Sequence, residues 1–454
     1  MNKYISFLFI LLLAACNKQL DLNPTDSLDA ADAINNEESV DAAIVGAYSI
    51  LAGGALYGTN LIMIPDLQAQ DDYLSWRGTF TSYTEISDKE LTRDNAESIR
   101  IWQMGYKAIN MANLVLESLS FVNDADKRSQ LEGEAYFIRG AVHFDMVRLF
   151  GLPWGVNPDN SQPGVVIKTT ATHTTQQALE KKPRNKVSEV YTQVIDDLKK
   201  AAALLPEENE RRATKYTALA FLSRVYLQQQ DFESARDAAN EVIESGLYEM
   251  NASVNAVFDN KNTKETIFEI QQNDQNNAGT ANDGMATFYS SMPGIGRADV
   301  RMVSDFLDLY EADDSRLNNW YYEGTGARPG NIYCSKWRSF SQNLPIVRIA
   351  EMYLTRAECN MRLGTNVGDI PEHDLEKIVN PLRVNLPSIV SPSLSDILEQ
   401  RYLELAFEGL RIHDIKRLQL ATGDYDWDDN LLVLPIPQSE VEASEGIIVQ
   451  NSGY

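Results

Sequence analysis

The chain has 454 residues, 44% of them hydrophobic, enough to bury a large core; length alone suggests about three domains of ~150 residues, a count that repeat architectures do not follow. With 40 Lys and Arg against 65 Asp and Glu the net charge is −25, which repels nucleic acid and anionic lipid and makes a neutral or cationic ligand easier to accept than a polyanion. Three cysteines (Cys16, Cys334, Cys359) and four histidines, scattered without ligand spacing, argue against a zinc site, a disulfide scaffold or a histidine-based triad.

Residues Met1 to Ala15 carry one cation, Lys3, followed by an apolar run from Ile5 that is shorter than the ~20 residues of a membrane span. Such a stretch is expected to be an export signal. It ends Leu13-Ala14-Ala15-Cys16, which resembles the bacterial lipobox, so Cys16 is the expected lipidation site and the polar residues after it the expected tether. The pattern Val40, Ile44, Ala47 predicts a first helix over 37–51, stopped by Gly53-Gly54. Periodicity is then lost from Ile64 to Ser82, where Asp66, Asp71, Asp72, Tyr73, Trp76 and Arg77 crowd together as a lid or part of a ligand surface.

Helical spacing returns over 94–119, with Thr92 as the expected cap, and again from Leu131 to Leu149. After a Thr-rich loop, Pro183-Arg184 opens a helix that Pro206 stops. The pair 214–229 and 232–245 places Ser223, Tyr226, Phe232, Ala235, Ala239 and Val242 close to the offsets of a tetratricopeptide hairpin, the best repeat in the chain. A second candidate, 346–363, has no evident partner helix. Between the two repeats the residues 265–270 read as a strand, 271–284 as a long polar loop and 303–310 as a helix. Trp320, Tyr321, Tyr322, Tyr333 and Trp337 follow, interleaved with Asn, Gln and Arg, and such mixtures suit sugars, whose C–H faces lie on rings while their hydroxyls reach amides and charges. The expected ligand platform therefore combines Tyr73, Trp76, Trp320, Tyr321 and Tyr322 with Asp72, Arg77, Asp313 and Arg338 as hydroxyl partners.

The run from Ile397 to Arg417 has helical period, with Arg401, Glu404, Glu408 and Arg411 in one stripe that can pair within itself and Gly409 on the apolar side permitting close approach. A buried structural helix is expected there, since arginines beside the carboxylates hold them ionised and unfit for acid/base exchange. Asp424, Asp426 and Asp428 imitate the start of a calcium loop, but Asp429 stands where Gly is required.

Glu399, Arg401, Glu404, Leu405, Phe407, Glu408, Gly409, Arg411, Asp414 and Arg417, read with Gln400 inserted, resemble the signature helix of the SusD/RagB family, surface lipoproteins of Bacteroidetes. The 134–155, 344–358 and 434–438 stretches and the last five residues are similar to further motifs of that family. The resemblance implies an all-α, mostly helical fold of tetratricopeptide-like hairpins with an irregular ligand lobe. It implies a glycan-binding, in some members peptide-binding, lipoprotein of the outer membrane that passes oligosaccharides to a TonB-dependent, SusC-like transporter. The expected division is a signal peptide at 1–15, lipidated Cys and tether at 16–33 and one SusD-like domain at 34–454. Within that domain the N-terminal helical part runs to about 250, the loop-rich lobe over about 260–340 and the C-terminal helical part from about 341. No cofactor, metal or nucleic-acid partner is expected, and the competing classes are a glycoside hydrolase and a repeat scaffold for protein partners.

Overall fold

The computed structural model describes residues 34–69 and 71–454, so Cys16 and the tether lie outside the described residues. The chain is mostly helical. Helix α1 (Glu37–Leu51) starts in a capping box between Asn36 and Ser39, and α2 (Asn60–Gln68) is buried on all sides. Helices α3 (Thr81–Asp88), α4 (Ala96–Ser118) and α5 (Ala125–Phe150) follow. The cap of α4 is Asn95, whose side chain accepts from the N–H groups of Glu97 and Ser98, rather than the expected Thr92. Helices α6 (Val187–Leu204), α7 (Lys215–Gln228) and α8 (Phe232–Glu244) complete the first half. Then come α9 (Ile349–Leu363), α10 (Pro371–Ile378), α11 (Leu394–Glu404) and α12 (Arg411–Leu418).

These helices stack as a staircase in which α4 packs on α5, α5 on α6, α6 on α7, α7 on α8, and α8 on α9. The expected hairpin is α7 with α8, where Ser223 Oγ donates to the Ala235 carbonyl at 3.2 Å because both side chains are small. The second candidate does have partners: α9 is held between α8 and α10. Sequence spacing missed this because α8 belongs to the preceding hairpin and a long insertion separates the two. Buried ion pairs pin successive steps, Arg139 to Asp197 at 2.7 Å, Arg224 to Glu351 at 2.6 Å and Arg356 to Asp374 at 2.5 Å.

The insertion supplies five of the six strands of three two-stranded antiparallel pairs, and the stretch between α2 and α3 supplies the remaining one. Strand β1 (Leu74–Trp76) pairs with β3 (Val300–Met302), β2 (Thr266–Ile270) with β6 (Leu344–Arg348), and β4 (Tyr321–Glu323) with β5 (Ile332–Cys334). Strand β6 runs directly into α9 and so ties the insertion to the staircase, while β3 lies beside β5 and gathers the other two pairs into one small lobe. The expected helix at 303–310 is a single turn, Ser304–Leu307.

The expected single helix over 397–417 is two helices joined by a turn. Phe407 (φ 64°) and Gly409 (φ 78°) take left-handed conformations that end α11. A Cβ on Gly409 would stand 2.7 Å from the Ile62 Cα, so only glycine lets α2 approach this turn.

Candidate functional site

The turn between α11 and α12 collects charge but offers no chemistry. The stripe does not pair within itself, because the turn breaks its helical register. Arg401 reaches Asp414 at 3.0 Å, while Glu404 accepts from Arg383 at 2.6 Å and Arg348 at 3.1 Å. Glu408 accepts from Arg348 at 2.8 Å and from Lys336 at 2.7 Å, and Lys336 also caps the Glu404 and Ala406 carbonyls. Burial alone would raise these carboxyls. The surrounding cations prevail, Arg383 and Arg348 holding Glu404 well below the usual carboxylate range and Arg401 and Arg417 holding Asp414 at about 2. Carboxylates so fixed serve the fold.

Four of the expected platform rings are packing aromatics, which corrects their assignment as open ligand faces. Trp320 is 0% exposed, donates Nε1 to the Val254 carbonyl at 3.1 Å and is covered by Lys336 Nζ, 3.9 Å above its ring. Tyr73 is stacked on Phe407 with centroids 4.6 Å apart, its hydroxyl accepting the Phe407 N–H. Trp76 packs on Tyr83 and Phe288 and donates to Thr84 Oγ1 at 3.1 Å, and Tyr321 shares its hydroxyl with Tyr310 at 2.9 Å. They lack helical period because the lobe that encloses them has none. Arg338 is likewise engaged, with Asp259.

Asp72, Arg77 and Tyr322 remain accessible, but the fold sets Asp72 apart from the other two. Asp72 sits in a left-handed turn (φ 55°) at the start of β1, whereas Arg77 follows its other end. Tyr322 is half-buried, its hydroxyl accepting from the Ser291 N–H at 2.7 Å. Arg77 and Tyr322 belong to a surface assembled from three loops, 77–80, 290–298 and 323–331. The Arg77 N–H donates to the Asp299 carbonyl at 2.6 Å, its own carbonyl accepts from Arg328, and Ser291 Oγ donates to the Ala327 carbonyl at 2.7 Å. A Cβ on Gly326 would lie 2.0 Å from the Ser291 carbonyl oxygen, so glycine permits this clasp.

Residues that the sequence reading missed complete the surface. Half-buried Phe80 lies under the Arg297 guanidinium, 4.6 Å from the ring centroid, and Arg297 also donates to Thr79 at 3.0 Å and Asp299 at 2.8 Å. Met292 and Pro293 are exposed at its edge. This combination of ring, apolar edge and outward hydrogen-bond donors can hold a polar, ring-shaped ligand in orientation. A separate open cleft of about 450 Å³ lies between the Glu207–Thr214 segment and β2, lined by Arg211, Arg212, Tyr248, Lys264 and Gln271 among others. Among the described residues no group of three or more His, Cys, Asp or Glu is placed to hold a metal ion.

Comparison with known proteins gives one consistent answer. The family model described as "Starch-binding associating with outer membrane" matches residues 18–227, and that described as "SusD family" matches 335–431. SusD-like protein P2 of Formosa agariphila is 24% identical over 528 aligned residues spanning 100% of both chains. A SusD superfamily protein of Bacteroides thetaiotaomicron superposes with a TM-score of 0.84 at 24% identity, covering 92% of this chain and 100% of its own. Surface glycan-binding protein A of the same organism superposes at 0.75 with 19% identity, again over 92% of this chain and 100% of its own. These likenesses establish the fold, a mostly helical SusD-like one.

Proposed function

This chain belongs to the SusD/RagB family, and from that premise we propose that it captures oligosaccharides on the three-loop surface and passes them to a TonB-dependent, SusC-like transporter while held in the outer membrane through a lipid on Cys16. The observation that carries the reading is the surface itself, where Phe80, Tyr322 and the outward donors of Arg77 and Arg297 stand together while every other large aromatic of β1 and β4 is packed inside. A glycosidase requires two carboxyl groups facing each other across ~5 to 10 Å. Asp71 pairs with Lys89 at 2.9 Å and Asp314 with Arg316 at 2.8 Å, which supports binding without turnover. The anchor rests on the lipobox-like run before Cys16; no helix among the described residues is long and apolar enough to cross a membrane.

A surface open on one side should bind at Kd ~10 to 100 µM. Calorimetric titration of the soluble form with an oligosaccharide panel should give such binding and leave every sugar intact. Binding of peptides alone, or cleavage of a sugar, overturns the reading. Replacing Cys16→Ala should release the protein from the membrane fraction, and unchanged retention contradicts the anchor.

A further inference from the structure

The three-loop surface is strongly cationic in a chain of net charge −25. Arg77, Arg297, Arg301 and Arg328 lie on it, and among the described residues only two of them have an ion pair, both to one carboxylate, Asp299, at 2.8 Å from Arg297 and 3.6 Å from Arg328. Arg301 donates to Asn331 at 3.1 Å, and the exposed Arg77 side chain has no hydrogen bond or ion pair among the described residues. The Tyr333 hydroxyl, which donates to the Arg328 carbonyl at 2.8 Å, lies within the fields of both Arg328 and Arg301, so the strand pairs bring these cations to one place. Asp299 is 1% exposed, and Glu323, the nearest acid on β4, is exposed at the strand end.

Gathering cations has a repulsive cost unless a partner answers them, and each guanidinium presents five donors in a fork that matches a carboxylate or a sulfate ester. Among the described residues Arg297 spends Nε and one Nη on Asp299 and Thr79, Arg328 spends both Nη atoms on the Arg77 carbonyl and Asp299, and Arg301 spends one Nη on Asn331, which leaves at least one nitrogen on each of the four without a protein acceptor. We infer that the oligosaccharide taken by this surface is anionic, bearing uronate carboxylates or sulfate esters that Arg77, Arg297, Arg301 and Arg328 bind in place of missing protein acids. This rests on the oligosaccharide-capture reading and sharpens its ligand. It also inverts the expectation from bulk charge that a polyanion is disfavoured, because screening confines the influence of the remote acids to ~8 Å at physiological salt while the arginines touch the ligand directly.

The test is a printed array of neutral, uronate-bearing and sulfate-bearing oligosaccharides probed with the soluble protein, followed by calorimetric titration of the hits at low and high NaCl. The same titration is run on Arg77→Gln/Arg328→Gln and on the control Arg211→Gln, which lies in the other cleft. Anionic sugars should bind, affinity should fall with salt, and the double variant should lose about tenfold or more while remaining folded with a Tm lowered by only a few degrees, as expected for charged hydrogen bonds. The uronate and sulfate arms identify which anion is read. Binding of neutral sugars alone, or of anionic ones with no response to salt or to the double variant, overturns the inference while leaving oligosaccharide capture standing. No sugar bound in any class overturns both.

Discussion

Arginine is put to opposite uses in two parts of this molecule. Around the turn between α11 and α12, Arg348 and Arg383 are enclosed, and each donates to Glu404, with Glu408 and Glu265 completing the partnership. On the three-loop surface, Arg77 is exposed and unpaired among the described residues, and Arg328, 37% exposed, shares Asp299 with Arg297. In the first region Arg348, Arg383, Glu404 and Glu408 all have charged partners inside the protein, and the product is rigidity. In the second the partners are too few, and the deficit points outward to a ligand. Residue type says little about role; partner accounting decides it.

The comparison breaks most visibly through the buried side. Arg348→Ala leaves Glu265, Glu404 and Glu408 without their shared cation and should cost about 3 to 5 kcal/mol in urea unfolding, enough to abolish folding in a marginal background. Trp320→Ala, which uncovers Lys336 and orphans the Val254 carbonyl, should cost about 3 kcal/mol or more; a loss below about 1 kcal/mol would return Trp320 to the ligand face. Acid should act next. Arg401 and Arg417 hold Asp414 at about 2 in the fold, below the ordinary aspartate value of ~3.9, so its stabilisation is fully present above pH ~4 and is lost as pH falls toward ~2. Glu404, also held low, extends the loss to lower pH, and a pH series of Tm values that stays flat below 4 would contradict the network. Smallest is the exposed side: Arg77→Gln should change stability by no more than about 0.5 kcal/mol and Arg328→Gln, which gives up its contacts with the Arg77 carbonyl and Asp299, by about 1 kcal/mol, so their main effect is sought in binding.

The helical staircase was readable because periodicity reports a buried face. Val40, Ile44 and Ala47 are all buried as their spacing required, and Ser223 and Ala235 meet across the expected hairpin. The same signal was silent in the lobe. Trp76 and Trp320 fall outside any helical period and so resemble platforms in sequence, yet a short strand pair and an irregular coil can bury a ring as completely as a helix does. Arg297 and Arg328 carried no signal at all: 31 positions apart, they meet only because β3 lies against β5 and both reach Asp299. Gly409 is legible in sequence as a point of close approach but not as part of a helix-ending turn, since the left-handed Phe407 two positions before it has no mark in sequence.

The central claim is that the ligand is held by the lobe and not by the staircase. Hydrogen exchange read by mass spectrometry, with and without a saturating oligosaccharide identified on the array, addresses it directly. Added protection should fall on 77–80, 290–298 and 323–331, with the α11–α12 turn unchanged because it is already closed. Protection confined to the Glu207–Thr214 segment and β2 would contradict the account and move the binding site to the other cleft.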